Sequence, residues 1–157
     1  MNTISILIAD DHKIVRMGLK SLFASEKDVF LAGEADDGAT AVQQALKLRP
    51  DVIIMDLMMP KMNGVAATSE ILAKLPETKI VVLTSYSTSD TIAAAIAAGA
   101  QGAVMKSADD SMLLTAVRTV AAGKRFISPE VKGLLAVDPP APTLSPRQQE
   151  VLALIVK

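Results

Sequence analysis

The chain has 157 residues, enough for one ordinary domain with a short addition, and half of them are hydrophobic. Aromatic residues make up only 3%, so Ala, Val, Ile, Leu and Met must fill the core. A formal net charge of −1 gives no global pull toward nucleic acid or an anionic membrane, and the absence of cysteine excludes disulfides, thiolate metal sites and cysteine catalysis.

Short apolar runs then alternate with longer helix-like stretches. Ser5–Ala9 predicts a first strand. Apolar residues at Ile14, Val15, Leu19, Leu22 and Phe23 give Ile14–Ser25 a helical spacing. Val29–Ala35 predicts a second strand, and Thr40–Leu48 a helix stopped by Pro50. Asp51–Met55 predicts a third strand that is apolar on both faces, and Val65–Leu75 a helix ended by Pro76. Lys79–Leu83 predicts a fourth strand, Asp90–Ala98 an Ala-rich helix closed by Gly99, and Gly102–Met105 a short fifth strand. Asp109–Ala122 predicts a fifth helix, closed by Gly123.

Strands apolar throughout are buried on both faces, and five of them separated by helices call for an α/β, doubly wound, five-stranded parallel sheet. Right-handed crossovers are then nearly obligatory, and sites lie at the carboxyl ends of the strands. After Gly123 the texture changes. Phe126–Val137 predicts a short helix opened by Ser128-Pro129, and Asp138–Thr143 is a proline-rich linker. Ser145–Lys157 predicts a new helix with Ser145 as N-cap and Pro146 in its first turn. The expected division is 1–124, 125–144 and 145–157. With no basic segment before a long apolar stretch at the N-terminus, and no apolar run near membrane length, a soluble cytoplasmic protein without a membrane partner is expected.

The strand ends carry the chemistry. The first strand runs into Asp10 and Asp11, the third into Asp56, the fourth into Thr84 and the fifth into Lys106. In a doubly wound sheet these ends gather on one edge. Clustered carboxylates resist full ionisation unless a cation joins them, and hard oxygen ligands with open positions suit Mg²⁺. Adjacent Asp10 and Asp11 suit metal ligation. Asp56, on the central strand, suits nucleophilic attack on phosphorus, with Lys106 and a hydroxyl from Thr84 stabilising the transferred charge. Taken singly these residues have plainer readings: Asp11 as a helix cap, Thr84 as a turn hydroxyl, Lys106 as a solvated charge, His12 as a rim residue. Their coincidence at four strand ends favours the shared site.

This set resembles the receiver-domain signature of two-component response regulators. The residues concerned are Asp10-Asp11, Asp56 through Pro60 with Gly64, Thr84 and Lys106. The flanking text DDHKIVRMGL, DGATAV, DVIIMDLMMPKMNG, VVLTSY, GAQGAVMK and GKRFISPEV is similar to the NarL/FixJ subfamily, which carries a LuxR-type helix-turn-helix. The resemblance runs from Ile4 to about Val131. It implies a flavodoxin-like fold with strand order 2-1-3-4-5. It implies Asp56 as phosphoacceptor, with Mg²⁺ held by Asp10, Asp11, Asp56 and the backbone carbonyl of Met58. Thr84 would bond a phosphoryl oxygen and shift inward, Lys106 would neutralise the phosphoryl charge, and Pro60 and Gly64 would shape the following loop. A sensor histidine kinase as phosphodonor and a homodimer are the implied partners. LSPRQQEVLALIVK resembles the opening of a LuxR-type DNA-binding domain, so DNA is an expected partner of a full-length form only, and the last helix is expected to pack on the receiver or on another chain.

The family often carries an aromatic three residues before the lysine; here that position is Ala103, and Tyr86 is the chain's only tyrosine. The implied activity is that of a phosphoacceptor switch rather than an enzyme. A phosphatase of the haloacid-dehalogenase type uses similar groups, but there the nucleophile and a second Asp two residues on close the first strand, an order this chain lacks. A receiver that binds without phosphorylation is disfavoured by the retained acidic set. A nucleotide site is disfavoured because Asp10-Asp11-His12 stands where a Gly-rich phosphate loop would.

Overall fold

The computed structural model describes residues 3–85 and 89–137. Six strands form one parallel sheet: β1 (Ile4–Ala9), β2 (Val29–Ala35), β3 (Val52–Asp56), β4 (Lys79–Thr84), β5 (Gly102–Met105) and β6 (Phe126–Ile127). Their order across the sheet is β2-β1-β3-β4-β5-β6. The helices are α1 (Lys13–Ala24), α2 (Gly38–Leu48), α3 (Gly64–Lys74), α4 (Ser89–Ala97), α5 (Asp110–Ala121) and α6 (Pro129–Val137).

Side chains of successive strand residues point to opposite faces, and the core divides accordingly. Ile6, Ile8, Val52, Ile54, Val81, Leu83 and Val104 face Leu19 and Phe23 of α1 and Leu113, Val117 and Val120 of α5. Leu7, Ile53, Met55, Ile80, Val82 and Ala103 face α2, α3, α4 and α6 through Ala41, Ala45, Ala67, Ile71, Ile92, Ala95 and Val131. β3 is buried along its whole length, which is why its sequence is apolar at every position before Asp56.

The expected five-strand order is present, and a sixth strand extends it. Phe126–Val137, expected as one helix, instead pairs Phe126 and Ile127 with Gly102 and Ala103 before α6 begins at Pro129. The backbone N–H of Ser128 donates to the Ala103 carbonyl at 3.0 Å, and the fully buried Val131 joins the core beside Ala103. α6 thus packs against β5, the strand that carries Ala103. The starts of α2, α3 and α5 differ from expectation by one or two residues because side-chain caps set them. Asp37 accepts from the Thr40 N–H at 2.7 Å, Asn63 from Ala66 at 2.9 Å and Asp109 from Met112 at 2.9 Å. Gly99 sits at φ +119, as a helix-terminating glycine should. No helix among the described residues is long and apolar enough to cross a membrane. Tyr86 and the expectations for the linker and the last helix lie outside the described residues.

Candidate functional site

Parallel pairing brings the strand ends together. Ala9 stands opposite Met55, so Asp10 and Asp56, one residue further on, leave neighbouring strands side by side. Asp56 pairs with Leu83, and Thr84 with Met105, so Thr84 and Lys106 follow on the next two strand ends. The edge therefore presents Asp10, Asp56, Thr84 and Lys106 in spatial order.

Asp10 is 1% exposed, Asp56 3% and Thr84 1%, whereas Asp11 is exposed at the rim. Lys106 Nζ lies 3.1 Å from Asp10 Oδ2 and 3.3 Å from Asp56 Oδ2. Those are ion-pair distances without aligned hydrogen bonds: both Oδ2 atoms and Thr84 Oγ1 lack a hydrogen-bond partner among the described residues. Asp56 Oδ1 accepts the backbone N–H of Met58 at 3.2 Å. Burial, followed by the neighbouring charge of Asp10, raises the Asp56 carboxyl above its ordinary value. The Met58 N–H and Lys106 oppose that shift without cancelling it.

Asp10, Asp11, His12 and Asp56 each offer one ligand atom within 4.8 Å of the others. Asp11 does not cap α1. The cap position falls at His12, whose side chain makes no capping bond and whose N–H is taken by Asp10 Oδ1 at 2.8 Å. Asp11 thus has no capping duty toward the helix, while Asp10 holds the N–H of its cap residue. Buried carboxylate oxygens without donors and an exposed third carboxylate form a hard-oxygen donor set with open positions. That set fits Mg²⁺.

The following loop is built around small residues. A Cβ on Gly64 would run into the Asp56 carbonyl, and one on Gly38 into the Met62 carbonyl. Lys61 takes a left-handed turn at φ 66 and reaches Asp37 at 3.6 Å, so α2 buttresses the loop after Asp56. Met58, the expected backbone ligand, leaves its side chain largely in solvent.

The sequence reading underrated one neighbour and missed another. His12, expected at the rim, is indeed exposed, yet its Nδ1 lies 3.1 Å from Asp10 Oδ1, 3.2 Å from Asp11 Oδ1 and 3.3 Å from Lys106 Nζ. Arg16 reaches back from α1 to the Asp10 carbonyl at 2.7 Å. Its spacing, one turn into the helix after the acidic pair, was the available signal.

The family model for the response regulator receiver domain matches residues 6–118. The chain is 37% identical to the oxygen regulatory protein NreC of Staphylococcus carnosus (strain TM300), over 97% of this chain and 76% of that protein. It resembles the structure of a LuxR-family two-component response regulator from Aurantimonas sp. SI85-9A1, with a TM-score of 0.81, 32% identity and coverage of 87% of this chain and 97% of that one. It also resembles the RcsB response regulator of Salmonella typhimurium, solved in a study of conformational dynamism for DNA interaction. There the TM-score is 0.79 and the identity 31%, over 99% of this chain and 78% of that one. With the fold and these likenesses in agreement, the chain belongs to the response regulator receiver domains, its relatives being two-component regulators of transcription of the NarL/LuxR group.

Proposed function

We propose that Asp56 accepts a phosphoryl group from a sensor histidine kinase in a Mg²⁺-dependent transfer, and that the chain acts as a switch rather than as an enzyme with turnover. One observation carries this reading: two buried carboxylates, Asp10 and Asp56, turn Oδ2 atoms that have no hydrogen-bond partner among the described residues toward a single ammonium at the carboxyl edge of the sheet. Such an arrangement is costly unless a cation and a charged substrate complete it.

Asp10, Asp11, Asp56 and the Met58 backbone carbonyl would hold Mg²⁺. When bound, the ion would supply charge neutralisation for the acidic cluster and for the phosphoryl oxygens. A carboxylate oxygen of Asp56 attacks phosphorus. The new P–O bond forms as the P–N bond to the donor imidazole breaks, and the imidazole nitrogen takes up a proton. The Asp10 charge repels Asp56 and burial raises its carboxyl, so the Met58 N–H and Lys106 work to keep it ionised and aimed. Lys106 then meets the charge of the phosphoryl group. The buried Thr84 hydroxyl has no other partner among the described residues and is available to donate to a phosphoryl oxygen, which would draw it inward.

Residues 1–124 would form the phosphoacceptor unit, and 125–144 would connect it to the opening of a LuxR-type DNA-binding domain at 145–157. The likeness to RcsB supports DNA as a partner of a longer form. A homodimer is the other partner proposed, and the exposed Ile14 and Met17 on α1 offer apolar surface for one. A cytoplasmic location agrees with the kinase partner.

Incubation with acetyl phosphate and Mg²⁺, followed by intact mass measurement, tests the assignment. The wild-type chain should gain one phosphoryl mass, and chelation or Asp56→Asn should abolish the gain. An Asp56→Asn chain that still gains it would sink the reading.

A further inference from the structure

We infer that Arg16 is a positioning residue for the acidic pair, held in place for that task by Glu34. The inference rests on the metal-site reading above and adds residues outside the ligand set. Asp10 follows the last paired residue of β1, where the sheet no longer dictates the direction of the peptide plane. Both backbone groups of Asp10 are nevertheless held. Its N–H donates to the Ala35 carbonyl at 3.0 Å, and its carbonyl accepts Arg16 Nη1 at 2.7 Å. That carbonyl belongs to the peptide joining Asp10 to Asp11, so the guanidinium fixes the plane from which both carboxylates project.

The guanidinium is itself aimed. Arg16 Nε donates to Glu34 Oε1 at 3.1 Å, while Lys20 Nζ lies 2.9 Å from Glu34 Oε2. Glu34 stands on β2 opposite Ile8 of β1, so the buttress comes from the neighbouring strand. Hydrogen bonding from Lys20, and in smaller part from Arg16, holds the Glu34 carboxyl below its usual range despite partial burial. A planar fork that donates in two directions at once can bridge a carbonyl and a carboxylate. A lysine, with one nitrogen, keeps the charge but has no fixed second donor direction. Lys20 touches Glu34 and has no bond to the acidic turn, which makes it the internal control.

The test is divalent-cation binding, read by Mn²⁺ electron paramagnetic resonance, with melting temperature in chelator measured in parallel. Wild-type protein should bind Mn²⁺. Arg16→Gln and Arg16→Lys should weaken binding by about tenfold, in the range of residues that orient ligands rather than ligate. Glu34→Gln, which leaves Arg16 in place but loosens it, should fall between them and wild type. Lys20→Gln should leave Mn²⁺ affinity unchanged, whatever it does to the melting temperature. Wild-type affinity in both Arg16→Lys and Glu34→Gln would overturn the inference while leaving the metal site standing. If Arg16→Gln does not fold, those two variants decide the matter alone. Absence of Mn²⁺ binding by the wild-type chain would overturn the site reading and the inference together.

Discussion

The molecule twice places one cation between two carboxylates, with opposite results. At the carboxyl edge, Lys106 stands between Asp10 and Asp56 at 3.1 and 3.3 Å, and both acceptor oxygens go without a hydrogen bond among the described residues. On the surface joining α5 to the turn before β2, Arg118 stands between Glu26 and Asp28, with three hydrogen bonds of 2.7, 2.7 and 2.9 Å. The lysine site is nearly closed to solvent, whereas the Arg118 side chain is 41% exposed. Burial and like charge raise Asp56, while hydrogen bonding to Arg118 lowers Asp28. A guanidinium fork in water finishes its acids and leaves nothing more to bind. A point charge in a largely buried cleft leaves its acids with unused acceptor capacity, which is what a cation and a phosphoryl group require.

Removing each cation should therefore have different consequences, the larger at the buried site. Lys106→Met leaves Asp10 and Asp56 buried beside each other with no positive charge between them. At neutral pH in chelator it should lower unfolding free energy by about 3 kcal/mol, the scale for breaking a buried pair. Urea denaturation measures this. Saturating Mg²⁺ should recover much of the loss, and lowering the pH should shrink it as the carboxyls protonate. A loss of only a few tenths of a kcal/mol, in the range of exposed pairs, would erase the contrast between the two clusters.

Removing a carboxylate from the buried site should do the reverse of harm. Asp56 has a raised folded value, so the folded state binds more protons than the unfolded one in the window above the unfolded value of 3.8. Its contribution to stability accordingly falls as pH rises through that window, and the full penalty stands above the folded value. Asp56→Asn should stabilise the cation-free chain at neutral pH by on the order of 1 kcal/mol, with the gain fading as pH falls toward the unfolded value. Thermal unfolding in chelator across that pH range checks the sign. Added Mg²⁺ should narrow the difference, because it stabilises only the chain that retains the carboxylate.

What was legible in the sequence follows the same division between pattern and geometry. The strands β1, β3, β4 and β5 announce themselves because strands buried on both faces are apolar along most of their length, and β3 is the clearest case, whereas the half-exposed β2 carries Glu34. Their termini could be read as a site because parallel strands all point their carboxyl ends to one edge. β6 was not legible: two residues have no periodicity, and Phe126–Ile127 is a strand only because Gly102 and Ala103 offer an open edge. That α6 packs against β5 depended on α6 folding back, which no local spacing encodes. Arg16 was missed for another reason. Its partner at the site is a backbone carbonyl, so its place one turn into α1 was the one trace it left in the sequence.

The smallest effect belongs to the exposed cluster, and its pH dependence should run opposite to that of Asp56. Arg118 holds the Asp28 carboxyl below its unfolded value of 3.8, so the folded state binds fewer protons than the unfolded one over the window beneath it. The stabilisation is fully present above that value and is lost as pH falls through the depressed folded value. Because the pair faces solvent, Arg118→Met should cost no more than about 1 kcal/mol at neutral pH, less at high salt and nothing in strong acid. Arg118→Lys should recover the charge but not the three directed bonds, and so only part of the loss. Chemical denaturation at low and high salt measures both variants. A full recovery by lysine would mean that charge alone holds the turn before β2 to α5. The fork would then not be what separates this cluster from the one around Lys106.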